Sequence, residues 1–188
     1  MPRINGFTLV QLLITLAIAS VLSGIALPNF SQLYAQHQAT TAANELLSQL
    51  RFARTHALSQ GRYVSVCAIG EQDKCGTNWA RGLYAFYDDD SDGEIATADD
   101  IIRIFPRNQP NAALSLKSFP ANANFINYTP LGTSMRKYSS GNLVYCPRAG
   151  QHTLGRVVIY SASGRAYLGR DKNHNGIPEN GSDKDIVC

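Results

Sequence analysis

The hydrophobic and polar residues form three successive patterns along the chain. The run from Phe7 to Leu27 contains no charged residue. At about 1.5 Å per helical residue, a run of this length reaches across a bilayer core of about 30 Å. Its leucines and alanines favour helix, whereas Pro28 removes a backbone donor and loosens the turn where it lies. We therefore predict a membrane-spanning helix over 7–28.

An amphipathic pattern follows this run. Small and aliphatic residues recur at spacings of four, three, four, three and four, which places them on one face of a helix. These residues are Ala39, Ala43, Leu46, Leu50, Ala53 and Ala57. Arg51, Arg54 and His56 lie in the last turns, where cations interact favourably with the helix dipole. Gly61 can supply a left-handed cap. The pattern predicts that the helix continues over 29–61 and packs this face on a sheet.

Short β-rich segments fill the rest of the chain, and Gly, Pro and Asn separate them. The segments are RYVSVCAI, LYAFY, IIRIF, ALSLKSF, NFINY, NLVYC and RVVIYS. Runs of this kind most often form antiparallel sheet. We predict an α+β fold in which the long N-terminal helix packs on an antiparallel sheet, with a second small sheet. The β domain is expected over 62–188.

The chain has four cysteines, and none belongs to a CxxC pair, so zinc-ligand spacing is absent. An even number of cysteines after an export segment favours disulfides in an oxidising compartment. We favour Cys67–Cys75, which closes a short loop, and Cys146–Cys188, which fixes the C-terminus. Four buried free thiols are the alternative.

Hydropathy alone does not separate a signal peptide, a plain single-span anchor and a retained helix. The residues GFTLVQLL, however, resemble the leader junction of type IV pilins and type II secretion pseudopilins, usually GFTLxELL. The resemblance implies that a prepilin peptidase cuts between Gly6 and Phe7, that residues 1–6 are a leader peptide, and that Phe7 becomes the N-methylated terminus. A plain anchor on an unassigned periplasmic domain remains the alternative.

Gln11 departs from this family pattern. The family has a glutamate at the fifth position after the cut, which can pair with the free amine of a neighbouring subunit. Gln11 can accept a hydrogen bond but carries no charge, so the assembly contact implied here is weaker. One hypothesis is a position at the filament tip, where no subunit above presents an amine. A tolerated substitution in a scarce subunit is the alternative.

Later segments resemble the GspH/FimT group of minor pilins and pseudopilins. They are LRFARTHALSQGRYVSVC, INYTPLGTS, LVYC and VVIYSASGRAYLG. The resemblance implies a low-abundance subunit that initiates or caps a type IV pilus or a type II protein-secretion pseudopilus, with other major and minor pilins as partners. Before assembly such a subunit crosses the bacterial inner membrane once and keeps its C-terminal domain in the periplasm. After assembly it is expected at the pilus tip.

The segment 88–100 is strongly acidic, with seven carboxylates. Asp88, Asp90 and Asp92 match the start of a DxDxDG calcium loop, and Asp99 holds the twelfth position. The segment DKNHNGIPENGSD echoes this pattern less completely. Calcium is the one ion that we consider, and we favour a solvated acidic turn over it. No other cofactor is predicted.

A cationic stretch follows between positions 131 and 170, which contain no acidic residue. Its cations are Arg136, Lys137, Arg148, Arg156, Arg165 and Arg170, and Lys172 comes next. Such a run is typical of an anion-binding or phosphate-binding surface. Four interleaved tyrosines, Tyr138, Tyr145, Tyr160 and Tyr167, could stack on unpaired bases.

Within this stretch, SGRAYLGR is similar to a loop of FimT-like minor pilins of competent bacteria, which are DNA receptors with a glycine-arginine-x-arginine loop. Gly164 and Arg165 match, Tyr167 replaces the second arginine, and Arg170 could take over its role. The resemblance implies contact with double-stranded DNA through phosphates, and hence a part in DNA uptake. The alternative is a cationic face that meets an acidic neighbouring subunit.

The sequence carries no positive signal for an enzyme. Its four histidines belong to no triad and no HExxH helix, and Ser161 and Ser163 lack a GxSxG frame. No phosphate-cradling glycine loop occurs. The function is therefore expected to be structural or ligand-binding.

Overall fold

One long helix begins the described part of the chain. The computed structural model describes residues 8–107, 112–119, 124–134 and 140–188, without the side chains of 24–29 and 118–119. Helix α1 spans Leu9–Gln60. Thr8 caps its start, because the Thr8 side chain accepts from the Gln11 amide while the Gln11 side chain accepts from the Thr8 amide. Gly61 ends the helix in the left-handed conformation, with φ of 64°.

The second half of α1 carries the buried stripe that the sequence predicts. All six residues of the stripe are at most 1% exposed. The helix is continuous through Pro28, so the loosened turn expected there does not end it. Within the described residues, no helix combines the length and the hydropathy that a membrane crossing requires. The span predicted over 7–28 is thus not confirmed.

Two antiparallel sheets form the β domain. The first contains β1 (Val64–Ile69), β2 (Cys75–Gly76), β3 (Gly82–Tyr87), β4 (Ile101–Pro106) and β6 (Phe125–Tyr128). Its order is β2-β1-β3-β4, and β6 also pairs with β1, with Val66 opposite Ile126. The second contains β5 (Ala113–Phe119), β7 (Ser140–Cys146), β8 (Arg156–Tyr160) and β9 (Ala166–Leu168), in the order β5-β7-β8-β9.

The core lies where α1 meets both sheets. Leu46 and Leu50 of α1 share one buried cluster with Val66 of the first sheet and with Leu143 and Val158 of the second. Because the stripe of α1 is mainly alanine and leucine, the helix backbone can approach the strands closely. The predicted α+β fold with two antiparallel sheets is confirmed.

Two disulfides tie peripheral segments of the β domain to its strands. Cys67 pairs with Cys75, eight residues apart, and joins β1 to β2. Cys146 pairs with Cys188, 42 residues apart, and ties the C-terminal segment to β7. This is the pairing that the sequence analysis favours over four free thiols.

Candidate functional site: an exposed apolar stem and an arginine cleft

The first half of α1 projects from the β domain. We call residues 9–34 the stem, because every side chain described in it is exposed, and the first buried residue of the helix is Ala35. At about 1.5 Å per residue the stem is about 39 Å long. It contains no acidic or basic residue. An apolar rod of this length is unfavourable in water, so its surface requires other apolar surface around it.

Large apolar side chains cover the stem on all sides rather than along one stripe. Those that are more than half exposed are Leu9, Val10, Leu12, Leu13, Ile14, Leu16, Ile18, Val21, Leu22, Phe30, Leu33 and Tyr34. A helix that is apolar all round is suited to an environment that surrounds it completely, such as a bundle of helices.

Gln11 lies in the first turn of the stem. Its Oε1 accepts a hydrogen bond from the Thr8 amide at 3.0 Å, and its own amide donates to Thr8 Oγ1 at 3.3 Å. The acceptor that the sequence analysis assigns to contact with a neighbour is therefore used within the same helix. Gly6 and Phe7, the predicted cleavage and methylation positions, lie outside the described residues.

At the opposite end of α1, the helix and the β8–β9 turn enclose a cleft of about 710 Å³. We call it the arginine cleft and define it by Arg51, Arg54, Ser163, Arg165 and Tyr167. None of the described residues that line it is acidic. It is therefore an anion-attracting recess, since three guanidinium groups line it without a fixed counter-charge.

The loop of the arginine cleft is held rigidly by hydrogen bonds. Arg54 Nε donates to the Gly132 carbonyl at 2.7 Å and Arg54 Nη2 to the Ser163 carbonyl at 3.5 Å. Gly164 adopts φ of 73° and its amide donates to the Ser161 carbonyl at 2.8 Å. The position of Arg54 in the last turns predicts an interaction with the helix dipole, whereas in the structure Arg54 is hydrogen-bonded to the turn that presents Arg165.

The predicted cationic residues do not share one surface. Arg165 lines the arginine cleft, and Arg170 and Lys172 line an adjoining cleft of about 620 Å³. Lys172 is ion-paired with Asp183 in that second cleft. Arg148 lies elsewhere, beside Ser31 and His152 at the base of the stem.

A further predicted cation, Arg156, lines neither the arginine cleft nor the adjoining one. Arg156 is half-buried, its Nη1 donates to the Gly155 carbonyl at 2.7 Å, and burial lowers its pKa. Arg136 and Lys137 lie outside the described residues. Arg51 and Arg54 were not predicted for this site, although their spacing of three places both on one helix face.

The tyrosine prediction is wrong for two of its four residues. Tyr145 and Tyr160 are each 1% exposed and belong to the core, so they cannot stack on a base. Tyr138 lies outside the described residues. Tyr167 is 48% exposed and lines both the arginine cleft and the adjoining one.

The acidic loop brings three of its four predicted ligands together. One carboxylate oxygen from each of Asp88, Asp90 and Asp92 lies within 4.8 Å of the others. Asp99 lies instead in a short 3-10 helix, Ala98–Asp100, and is not part of this group. Carboxylate oxygens suit a hard cation such as calcium. Calcium binding stays a prediction, and the absence of heat on titration with millimolar calcium would contradict it.

Asp88 already has internal hydrogen-bond donors. It is 2% exposed, and its side chain accepts from the backbone amides of Asp92 and Gly93, from the Ser65 hydroxyl and from Asn127 Nδ2. Burial raises the pKa of its carboxyl, while the bonds from Ser65 and Gly93 oppose that shift. The start of the loop is therefore closed by its own backbone and neighbours, and Asp88 is buried, whereas the favoured acidic turn was expected to be solvated.

An exposed apolar helix whose second half packs on antiparallel sheets is the architecture of the type IV pilin class. The model of the family described as type II transport protein GspH matches residues 42–164. The match covers more than half of the chain, which therefore belongs to the GspH family. It is a minor pilin of the GspH/FimT type, as the sequence resemblance implies, and this family is structural rather than enzymatic.

Solved structures agree with this assignment. Two crystal forms of the type IV minor pilin FimU of Pseudomonas aeruginosa strain PAO1 match with TM-scores of 0.55 and 0.53, each at 26% identity. The matches cover 71% and 70% of this chain and 90% and 92% of FimU. No protein in the curated set matches the sequence significantly.

Proposed function

We propose that this minor pilin is a structural subunit of a type IV pilus or a type II secretion pseudopilus, and that the stem is the part built into the filament. The observation that carries the proposal is the exposed, uncharged surface of the stem, formed by the side chains described over 9–23 and 30–34. In the assembled filament this surface packs among the stems of major and minor pilins. Before assembly it lies in the inner membrane, with the β domain in the periplasm.

A charge in the stem tests this proposal. Replacing Leu16, which is 59% exposed, with arginine places a cation on the apolar rod. On membrane-insertion scales an arginine at a helix centre costs about 2.5–3.5 kcal/mol. We expect Leu16→Arg to lower the amount of subunit in sheared filaments at least roughly tenfold, measured by quantitative mass spectrometry.

The control for Leu16→Arg is Ser48→Arg. Ser48 is exposed on the domain half of α1, so an arginine there meets water. Incorporation of Ser48→Arg should equal that of the unaltered chain. Normal incorporation of Leu16→Arg would contradict the role of the stem.

We further propose that prepilin peptidase cuts between Gly6 and Phe7 and that Phe7 is then N-methylated. The GFTL junction motif supports this cut, because it directly precedes the apolar run. Cleavage there keeps the whole stem on the mature subunit. Mass spectrometry of the mature N-terminus is the test, and a terminus well beyond Phe7 would contradict it.

The capping of Thr8 by Gln11 supports a position at the filament tip. Gln11 carries no charge and its Oε1 already accepts from the Thr8 amide, so the subunit depends less on an amine from a neighbour. A subunit that depends less on this contact can be the first one, with nothing above it. We propose that this chain initiates or caps the filament.

Replacing Gln11 with glutamate should change where the subunit is found along the filament. Its charge strengthens the pairing with a neighbour's amine, since charge-assisted hydrogen bonds are about twice as strong as neutral ones. We expect the unaltered chain to be confined to filament ends in immunogold images and Gln11→Glu to appear along the shaft. An even distribution of the unaltered chain would contradict the tip position.

The arginine cleft supports a second function, the binding of DNA through its phosphates. Arg51 and Arg165 are exposed, and neither is ion-paired with a described residue. Contacts of this kind displace counterions, so binding must weaken steeply as salt rises. Retention of labelled DNA that is unchanged between 50 and 200 mM salt (roughly the range over which such contacts are lost) would contradict this function.

A further inference from the structure

The strand that follows the β8–β9 turn carries a tyrosine, Tyr167, where a second arginine would complete the glycine-arginine-x-arginine pattern. Tyr167 lies in β9, the edge strand of the second sheet, opposite Ile159 of β8. Its ring is 48% exposed and lines two adjoining clefts. An exposed aromatic ring in this position offers a flat apolar surface rather than a charge.

Cations lie on both sides of this ring. The arginine cleft on one side contains Arg165, and the adjoining cleft on the other contains Arg170. Arg51 lines both clefts from the side of α1. Cation, aromatic ring and cation thus follow one another across the surface. This order matches the alternation of phosphate, base and phosphate along an unpaired strand.

The acidic residues of the adjoining cleft do not oppose an anion strongly. Asp183 is ion-paired with Lys172. Glu179 is 4% exposed, and its two carboxylate oxygens accept from the Lys172 and Asn173 amides at 2.7 and 3.1 Å. The Glu179 carboxylate is therefore engaged inside the protein, whereas the exposed Asp183 carboxylate is offset by Lys172. Arg170, by contrast, is exposed at the rim.

The size of the two clefts is compatible with nucleotide units, and the exposed ring favours an unpaired strand. Their volumes of about 710 and 620 Å³ lie within the range of about 300–1,000 Å³ that holds a small ligand. Each can take a nucleotide unit. The bases of a duplex are stacked inside it and expose no face to Tyr167, so a duplex can offer only its phosphates.

We propose that the arginine cleft and its neighbour bind single-stranded DNA in preference to duplex, with Tyr167 stacking on a base and Arg51, Arg165 and Arg170 contacting phosphates. Arg54 is a positioning residue, because its hydrogen bonds to the Gly132 and Ser163 carbonyls hold the turn. This inference rests on the proposed binding of DNA and adds the strand state that is recognised.

The test measures fluorescence anisotropy of a labelled 12-nucleotide oligothymidine (about the site size of a single-strand binder) and of a duplex of equal length, with the full chain in detergent micelles. We expect the single strand to bind more tightly. Tyr167→Leu should weaken single-strand binding roughly tenfold and change duplex binding less than about twofold. Tyr167→Phe should keep the affinity, because it keeps the ring.

Arginine variants complete the test. Arg51→Gln should weaken the binding of both ligands. It should also reduce the slope of log affinity against log salt concentration by roughly one, the amount expected for one phosphate contact. Arg81→Gln is the matched control, since Arg81 is exposed and lines neither cleft. Unchanged single-strand binding by Tyr167→Leu, or tighter binding of duplex, overturns the inference while DNA binding itself stands. If neither ligand shows salt-sensitive binding, both this inference and the proposed binding of DNA are overturned.

Discussion

Replacing Gly164 with alanine is expected to destabilise the domain by about 2–5 kcal/mol and to open the arginine cleft. Two costs combine at this position. The backbone has φ of 73°, where a residue with Cβ pays about 1–2 kcal/mol. A Cβ there would also overlap the Gly132 carbonyl oxygen, and crowding of this kind typically costs about 1–3 kcal/mol. Urea unfolding followed by Trp79 fluorescence measures the sum.

Gly150→Ala is the matched control for this variant. Gly150 has almost the same φ, 74°, but a Cβ there has no atom within 4 Å. We expect a loss of only about 1–2 kcal/mol, because backbone strain remains and crowding does not. Equal losses for the two variants would show that Gly132 moves aside, and would contradict a rigid turn. The difference between them isolates the contact that holds Arg165 in place.

Removing the Cys146–Cys188 disulfide should also lower the stability of the protein by a large amount. The bond closes a loop in the unfolded chain across a separation of 42 residues, and the loop-entropy relation gives about 4 kcal/mol for a loop of that length. We expect the free energy of unfolding of the Cys146→Ser and Cys188→Ser double variant to be lower by that amount, measured by urea unfolding at neutral pH without reductant. The loss arises because the unlinked unfolded chain gains conformational freedom.

The Cys67→Ser and Cys75→Ser double variant provides the comparison. Its separation is eight residues, for which the same relation gives about 2.5 kcal/mol. Removing the disulfide that closes the longer loop should therefore lower the free energy of unfolding by roughly 1.5 kcal/mol more than removing the other. A larger loss from the short loop would mean that local packing around β1 and β2, rather than loop closure, sets the effect.

Periodicity predicted the regular elements well. The stripe from Ala39 to Ala57 is buried, and all seven predicted β segments form strands. The two strands that were missed are β2 and β9, which have only two and three residues. Elements this short carry no period of their own, because they form only when a longer neighbour supplies the hydrogen bonds.

The candidate site was harder to predict, because nearness in sequence is not nearness in space. Arg148 and Arg165 are both in the cationic stretch but line different clefts. Arg51 comes from another element altogether. One error was avoidable. Tyr145 lies two residues after Leu143 in β7, so the two side chains share a face of the sheet, and both are buried.

The unbroken helix α1 has a mechanical consequence. Arg51 and Arg54 at one end and Leu9 at the other belong to the same rod, and its backbone bonds run in series along one axis. Tension applied to either of these arginines therefore travels along the helix axis to the stem. Tension applied to Arg165 or Tyr167 instead acts first on the antiparallel pairing of β8 and β9.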